Sequence, residues 1–478
     1  MSFLIPLLSG CSTSDSVISP IVEAPEPPNE DPVDFFLDDA DTKFIGEDGS
    51  DEAGSVVAAA GDLDGDGLAD LLVGAAGSGS NGYLSGSTYV FFGPPPSGKV
   101  PLEEADAQLV GENERDRSGF SIAGVGDTDG DGLGDLWIGA YEADIDLKEN
   151  YEGAAYLLRE TPQGEVNLGS AALLVRGEYG AQQFGYAVAS AGDVDGDGLM
   201  DLLAGNYGRS GAYLFYGNTS GEVTTADADV EFLVRSSAYS SLGRSLSSAG
   251  DMDGDGLSEV LLGMRHKDEE TGDESSAVFV VSVPLGGEAD VEDVGFRLLG
   301  GDDATSDPLA VAGNGDANGD GYPDILVGAG KHSSQDMIEN GVAWLVLGPV
   351  TEDQNLGDAE TIFYGPEEYD EVGNSVAFVG DIDGDRDNEV LIGAENSGES
   401  SQGSAYLFLS DIDEGVLPLE SADYRLRGSE NYDRAGSSVV GLGDVDGDYL
   451  ADLLIGASED DEGGIRAGAA YLVSGSNF

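Results

Sequence analysis

One acidic motif recurs seven times along this 478-residue chain, and its residue types suit a hard metal cation. The first copy reads Asp62-Leu63-Asp64-Gly65-Asp66-Gly67-Leu68-Ala69-Asp70. In a tight turn this alternation brings the odd-numbered side chains to the inside, and glycines at positions 4 and 6 let the backbone coil without Cβ clashes. Several flexible oxygen ligands suit Ca²⁺ better than Mg²⁺ or a transition metal. The motif therefore predicts a calcium-binding loop.

Each copy offers side-chain oxygens at positions 1, 3, 5 and 9 and a backbone carbonyl at position 7. The predicted side-chain ligands, from loop one to loop seven, are Asp62, Asp64, Asp66 and Asp70; Asp127, Asp129, Asp131 and Asp135; Asp193, Asp195, Asp197 and Asp201; Asp251, Asp253, Asp255 and Glu259; Asp316, Asn318, Asp320 and Asp324; Asp381, Asp383, Asp385 and Glu389; and Asp444, Asp446, Asp448 and Asp452. The predicted carbonyl ligands belong to Leu68, Leu133, Leu199, Leu257, Tyr322, Asp387 and Leu450. We expect up to seven Ca²⁺ ions. Arg386 and Tyr449 replace the glycine at position 6, so the sixth and seventh sites are expected to be weaker.

Solvated acidic turns are the alternative, because most exposed acidic runs bind no metal. The first aspartates of successive copies, however, lie 65, 66, 58, 65, 65 and 63 residues apart. Chance runs would not keep one phase over seven copies. Four carboxylates held close together also repel one another unless a cation joins them. The spacing therefore favours metal binding.

The segments around the loops are typical of short β-strands. A small or apolar run precedes each loop, and three runs follow it, as at residues 71–74, 88–93 and 107–111. The runs are rich in Val, Ile, Leu, Tyr and Phe and are bounded by Gly, Asp and Ser. Four antiparallel strands per unit, repeated seven times, predict an all-β fold, a seven-bladed β-propeller of four-stranded blades over residues 37–478.

The ends of the repeat array predict how the ring closes. An extra run of the fourth type, residues 42–46, precedes the first loop, and the last unit ends at a third-type run, residues 469–473. We therefore expect residues 42–46 to supply the outer strand of the last blade, because closure protects a sheet edge. An open solenoid of the same units is the alternative.

Composition excludes several classes of function. With 94 acidic and 19 basic side chains and a net charge of −75, the chain would repel a nucleic-acid backbone. One cysteine excludes an internal disulfide, and two histidines leave little room for zinc chemistry. The acid beyond the loops is interpreted as a soluble, self-repelling surface, with adaptation to high salt or a cationic partner as the alternatives.

Residues 1–11 resemble a bacterial lipoprotein signal. An apolar stretch, residues 3–8, leads through Ser9 and Gly10 to Cys11, the only cysteine. The stretch is short and no Lys or Arg precedes it, so an uncleaved start is the alternative. Residues 12–36, rich in proline, serine and acid, are predicted to form a disordered tether. We expect membrane attachment only through lipid at Cys11, in the bacterial envelope at the outer membrane or cell surface, exposed to the periplasm or exterior.

The repeats resemble the FG-GAP family, which forms the propeller of integrin α-subunit heads. The first half of that name appears as Phe184-Gly185 and is relaxed elsewhere, as in Leu242-Gly243. The second half appears as Gly74-Ala75-Ala76, Gly139-Ala140-Tyr141, Gly393-Ala394-Glu395 and Gly456-Ala457-Ser458, without the family's proline. The resemblance covers roughly residues 37–478. It implies a seven-bladed propeller with Ca²⁺ between the first two strands of a blade, and a role in extracellular recognition.

We therefore expect a non-catalytic, calcium-binding recognition or adhesion module. Its partner would be an extracellular protein or polysaccharide, contacted by the loops at residues 77–84, 142–152 and 331–340. A structural envelope protein is one alternative, and a propeller hydrolase or lyase is another. The chain contains neither a Gly-x-Ser-x-Gly elbow nor a His-Glu-x-x-His motif, and His266 and His332 are interpreted as exposed loop residues.

Mass spectrometry of the mature protein from its native host tests the lipoprotein assignment. We expect a chain that begins at a lipid-modified Cys11, because the signal peptidase cleaves before that residue. An unmodified Met1 would contradict the assignment.

Overall fold

A computed structural model describes residues 31–478 except 145–150, 179, 237–238, 268–273, 284–285, 301–308, 334–336, 410–411 and 413. Seven five-stranded sheets account for its strands, and each of the seven acidic loops joins the first two strands of one sheet. The sheets are the blades of a propeller, numbered here after their loops. The predicted seven-bladed all-β fold is confirmed. Cys11 and most of the predicted tether lie outside the described residues.

Four strands of each blade pair antiparallel, from the channel outward. The first strands, from blade one to blade seven, are Val56–Gly61, Ser121–Gly126, Phe184–Gly192, Tyr239–Gly250, Ala310–Gly315, Val372–Phe378 and Ala435–Gly443. The second strands are Asp70–Ala75, Asp135–Ala140, Asp201–Asn206, Glu259–Lys267, Asp324–Ala329, Val390–Ala394 and Asp452–Ala457. The third strands are Ser87–Phe91, Ala154–Leu158, Ala212–Phe215, Glu274–Ser282, Val342–Val346, Ser404–Phe408 and Ala469–Val473. The fourth strands are Ala107–Val110, Leu173–Arg176, Val230–Leu233, Gly295–Leu299, Thr361–Tyr364, Tyr424–Arg427 and Thr42–Ile45.

A fifth strand on every blade corrects the prediction of four. It pairs parallel with the fourth strand and comes from the following unit, where it precedes that unit's own fourth strand. Each blade therefore has its outer edge covered by its neighbour, which removes an exposed fourth-strand edge. The fifth strands, from blade one to blade seven, are Gly164–Asn167, Gly221–Thr224, Gly287–Asp290, Gln354–Asn355, Gly415–Pro418, Val33–Phe36 and Gly98–Pro101.

A single helical turn follows every fifth strand, and the first residue of each turn is buried. These turns are the 3₁₀ segments Leu37–Asp39, Leu102–Glu104, Leu168–Ser170, Thr225–Asp227, Leu356–Asp358 and Leu419–Ser421 and the α-helical turn Val291–Val294. The remaining helical segments are Ser397–Ser401 and Gly475–Asn477. Among the described residues, no helix has the length and hydropathy that crossing a membrane would need.

The N-terminal segment closes the ring with two strands. Thr42–Ile45 pairs antiparallel with the third strand of blade seven, as predicted. Val33–Phe36 also pairs, parallel to the fourth strand of blade six, and Asp34 there accepts hydrogen bonds from Arg425 (2.7 Å) and Arg427 (3.1 Å). The folded part thus begins before the predicted boundary at residue 37, because the last residues of the predicted tether pair with the edge strand of blade six.

The hydrophobic core consists of seven clusters, each shared by two adjacent blades. Second strands such as Asp70–Ala75 are buried along their whole length because sheets cover both of their faces. The cluster between blades seven and one contains Phe44, Leu454, Val73 and Tyr89, so the ring is closed and the open solenoid is excluded.

The FG and GA motifs meet where neighbouring blades touch. Gly185 has φ +79°, and a Cβ there would lie 2.1 Å from the carbonyl oxygen of Ala154. A Cβ on Gly139 of blade two would in turn lie 2.1 Å from the carbonyl oxygen of Gly185 in blade three. Both positions therefore require glycine, which lets adjacent blades approach closely around the channel.

Substitution of Phe44 tests the contribution of closure. Its ring is fully buried, 4.4 Å from the ring centroid of Phe91 in blade one. We expect Phe44→Ala to lower the free energy of unfolding by about 3–5 kcal/mol in a urea titration with excess CaCl₂. Phe36→Ala is the matched control, because that ring is 47% exposed and belongs to the other N-terminal strand. Equal effects of the two changes would contradict closure by Thr42–Ile45.

Candidate functional site

Backbone N–H groups in loop one draw its carboxylates inward. Asp62 accepts from the N–H of Gly65 (2.7 Å) and of Gly67 (3.0 Å). Asp64 accepts from the N–H of Asp66 (3.1 Å), whose own carboxylate accepts from the next odd position, Leu68 (2.9 Å). The same four bonds recur in loops two, three, four and seven. The turn therefore places positions 1, 3 and 5 around one point, as the spacing predicts.

Carboxylate oxygens lie within 4.8 Å of one another in loops one, two, three, four and six. These groups are Asp62, Asp64 and Asp66; Asp127, Asp129 and Asp135; Asp193, Asp195 and Asp197; Asp251, Asp253 and Asp255; and Asp381, Asp383, Asp385 and Glu389. Position 9 belongs to the group only in loops two and six among these. The loops thus bring three or four of the predicted side-chain ligands together.

The position-9 carboxylate is buried and holds the loop to its blade. In all seven loops one of its oxygens accepts the N–H of position 2, at 2.7–3.0 Å. In loops one, three, five and seven the second oxygen accepts the N–H of a glycine after the third strand: Gly93, Gly217, Gly348 and Gly475. Position 9 therefore joins the loop to two strands of the blade, a structural role that the sequence analysis did not assign.

Loops two and six leave that second oxygen free. Neither has the glycine after its third strand, and Oδ1 of Asp135 and Oε1 of Glu389 are buried without a hydrogen-bond partner. Both residues are fully buried, and both belong to the carboxylate groups above. A buried carboxylate oxygen without a partner costs free energy unless an ion completes its coordination. The residues present therefore fit a bound cation.

Burial also opposes ionisation at position 9. It raises the pKa of Asp70 and Asp452 to about 6, that of Glu259 to about 7 and that of Glu389 to about 8, and the neighbouring loop carboxylates add to the rise. A divalent cation would reverse this effect because it favours the charged form.

Loops six and seven differ from the others in backbone strain. Arg386 and Tyr449 adopt φ +87° and +73°, in the left-handed region that glycine occupies at the equivalent places in loops one to five. This strain accords with the predicted weakness of the two sites, yet all four side chains of loop six converge. The relative affinity of these sites stays a prediction, as do the seven carbonyl ligands at position 7.

The opposite end of the blades carries the loops that connect second with third strands and fourth strands with the next blade, because consecutive strands alternate in direction. Of the loops predicted to bind a partner, residues 145–150 and 334–336 lie outside the described residues. Among the described residues, the large exposed apolar side chains on this face are Tyr83, Tyr207, Ile338, Tyr369, Tyr432 and Ile465. We call this surface the recognition face.

An aromatic arc on the recognition face crosses blades two to four. Phe120 lies 4.5 Å from Tyr141 and 5.1 Å from Tyr186, and Tyr186 lies 4.9 Å from Tyr207, measured between ring centroids. The guanidinium of Arg244 stacks on Tyr207 at 3.9 Å, and its buried Nε has no hydrogen-bond partner. Arginine beside exposed tyrosine is typical of contact surfaces. The sequence analysis missed this arc because its members come from three repeats.

Buried acids brace the loops of the recognition face. In the turns before the first strands the N–H of Asp48, Asn113, Glu367 and Glu430 is accepted by Asp51, Asp116, Asp370 and Asp433, respectively. Gln182 takes the equivalent place before blade three and accepts the N–H of Glu178 (2.9 Å). Burial raises the pKa of Asp116 to about 7, with the charge of Glu112 adding to the rise.

Comparisons with known proteins agree with the fold and the loops. The FG-GAP-like repeat family matches residues 193–262, and the FG-GAP repeat family matches residues 53–91. Integrin alpha-PS5 of Drosophila melanogaster is 33% identical over 155 residues, which cover 32% of this chain and 15% of that protein. Integrin alpha-4 of Xenopus laevis is 32% identical over 186 residues, covering 38% and 17%. Integrin alpha-IIb of Homo sapiens is 31% identical over 198 residues, covering 38% and 19%.

The matched segments thus span less than a fifth of these relatives. The chain carries FG-GAP repeats, and its propeller is integrin α-like, which confirms the resemblance seen in the motifs. The lipoprotein part of that interpretation stays a prediction.

The pH dependence of stability tests the buried acid Asp116. Its pKa is raised in the folded state, so its contribution to stability is fully present near pH 4 and is lost as the pH rises through about 7. We expect Asp116→Asn, which keeps the acceptor as Gln182 does, to reduce the fall in melting temperature between pH 4 and 8. The measurement uses excess CaCl₂, with Glu114→Gln, exposed in the same turn, as control. Parallel curves for wild type and Asp116→Asn would contradict the assignment.

Proposed function

We propose that the chain is a non-catalytic recognition or adhesion module whose propeller is stabilised by Ca²⁺ in its seven loops. The observation that carries the calcium part is the pair of buried, unpartnered oxygens at Asp135 and Glu389 within clusters of acid. The recognition part is supported by the integrin α-like propeller and by the aromatic arc on the face opposite the loops.

Calcium would act on the fold through the groups that each loop already joins. Positions 1, 3 and 5 belong to the turn, whereas position 9 of loop one begins the second strand and accepts the N–H of position 2 and that of the glycine after the third strand. An ion bound by both would fix the inner hairpin to the rest of the sheet. It would also neutralise repulsion among carboxylates in a chain of net charge −75.

The partner would be an extracellular protein or polysaccharide bound at the recognition face. Exposed tyrosines supply large contact areas at low cost in side-chain entropy, and an arginine over a ring can pair with an acidic group of a partner. Against a surface so rich in acid, a site that presents Arg244 above aromatic rings would select anionic groups. In the described part of the chain, the calcium face exposes fewer large apolar side chains, Tyr322 and Tyr449.

Attachment to the bacterial envelope through lipid at Cys11 would place the recognition face outside the membrane. The support is the sequence around the sole cysteine, since residues 1–30 lie outside the described part of the chain.

Removal of calcium tests the first half of the proposal. We expect chelation by EGTA to lower the melting temperature, because ions that bind only the folded chain stabilise it, by about 2.7 kcal/mol per site at one hundred times the dissociation constant. Elemental analysis of the dialysed protein should find bound calcium, and Mg²⁺ should restore less stability than Ca²⁺. An unchanged melt, with no bound calcium, would refute it.

Binding to arrays of glycans and extracellular proteins tests the second half. We expect the calcium-loaded chain to retain members of one class, and Tyr207→Ala or Arg244→Ala to reduce that binding by at least tenfold. Tyr322→Ala is the matched control, because Tyr322 is 40% exposed on the calcium face and Tyr207 is 41% exposed on the other. If neither array retains the wild-type chain, or if the three variants bind alike, the recognition face is wrongly assigned.

A further inference from the structure

The calcium loops contact one another around the channel. The N–H at position 8 of one loop donates to the carbonyl oxygen at position 1 of the preceding loop. In the described part of the chain this bond joins Gly134 to Asp62 (2.9 Å), Met200 to Asp127 (2.9 Å), Ser258 to Asp193 (2.9 Å), Asn388 to Asp316 (2.8 Å), Ala451 to Asp381 (3.2 Å) and Ala69 to Asp444 (2.8 Å). Six of the seven junctions therefore share one backbone link.

The remaining junction, between loops four and five, cannot form this link. Position 8 of loop five is Pro323, which has no N–H to donate to Asp251. The next junction is the most strongly tied, because Asn388 of loop six also accepts the N–H of Asp316 through its side chain (2.8 Å). The links thus form an open chain that runs from loop five through loops six, seven, one, two and three to loop four.

Leucine side chains also pack across four of these junctions, namely those between loops one and two, two and three, three and four, and seven and one. The position-7 leucine of one loop lies over the position-4 glycine of its neighbour, so that a Cβ built on Gly65 would meet Leu133 at 3.2 Å and one on Gly196 would meet Leu257 at 3.1 Å. At the junction of loops four and five the corresponding distance, from Gly254 to Tyr322, is 3.9 Å. A Cβ on Gly384 would meet nothing within 4 Å, so this side-chain contact is missing between loops six and seven. The junction at Pro323 is therefore singled out by its missing backbone link alone.

Each link joins residues next to the proposed ligands on both sides. The acceptor belongs to position 1, whose carboxylate would hold the ion of its own loop. The donor at position 8 stands between the carbonyl at position 7 and the carboxylate at position 9 of the next loop. An ion that fixes position 1 in one loop therefore also fixes the carbonyl oxygen to which the next loop is hydrogen-bonded. By thermodynamic linkage, an ion in the next loop must affect the first loop equally.

We propose that the loops bind Ca²⁺ cooperatively along this open chain and that Pro323 interrupts the coupling between loops four and five. This inference rests on the proposed calcium binding of the loops and adds to it how the sites influence one another. Loss of one neighbour should shift the calcium midpoint of a linked loop about 5-fold, the order expected for one backbone hydrogen bond.

Hydrogen exchange of loop peptides, followed during a CaCl₂ titration of the full chain, tests the proposal. Loop four is disabled by Asp253→Asn with Asp255→Asn. We expect the midpoint of loop three to rise about 5-fold and that of loop five to stay unchanged. Adding Pro323→Ala, which supplies the missing N–H, should make loop five respond as loop three does.

The reciprocal change is Ala69→Pro, which removes the link between loops seven and one at a position where loop five already accommodates proline. In this variant, disabling loop seven by Asp446→Asn with Asp448→Asn should no longer shift loop one. Equal responses of loops three and five in the chain that keeps Pro323 would overturn the coupling. If calcium protects each loop but disabling one loop never shifts the midpoint of another, only the coupling is overturned. If calcium protects no loop at any concentration, the proposed calcium binding itself is overturned.

Discussion

Each repeat is organised around carboxylates that backbone N–H groups hold on the inside of a tight turn. Position 1 accepts two such groups and position 9 accepts one more from position 2. These bonds fix the acids close together although they repel, and two of the loops even leave a buried oxygen unpaired. A cation would satisfy these acids, so the proposed function depends first on this arrangement.

The carboxylate turns are also where neighbouring blades meet. Position 8 of one loop is hydrogen-bonded to the preceding loop, and the glycines of the FG and GA motifs bring adjacent first and second strands into contact. At the outer edge every blade is covered by a strand from the next unit. The same pairs of blades are thus joined at three distances from the channel, by the acidic loops, by the glycine contacts and by the outer strands. This leaves the loops of the recognition face free to vary.

The features of the fold that repeat in every unit could be predicted from the repeats in the sequence. The acid motif gave the number of units, strand-like runs gave four strands per blade, and the surplus run at residues 42–46 gave ring closure. The fifth strand was missed because it pairs with another repeat. A signal for it was present, since segments such as Leu102-Glu103-Glu104-Ala105 and Leu419-Glu420-Ser421-Ala422 repeat the turn that follows it.

The site was predictable in its ligands and less so in its supports. Odd-numbered acids could be assigned from spacing, because the turn is local. The second hydrogen bond of Asp70 to Gly93, the stacking of Arg244 on Tyr207 and the pairing of Asn388 with Asp316 join residues from different strands or repeats. Such contacts depend on how blades pack, which one repeat read alone does not contain.

Anomalous scattering from crystals grown in millimolar CaCl₂ tests most directly whether the turns hold ions. The account predicts a peak in the loops at about 2.3–2.6 Å from the carboxylates at positions 1, 3 and 5, with the free oxygens of Asp135 and Glu389 among the ligands. Loops without peaks, with those carboxylates turned outward to solvent, would contradict it.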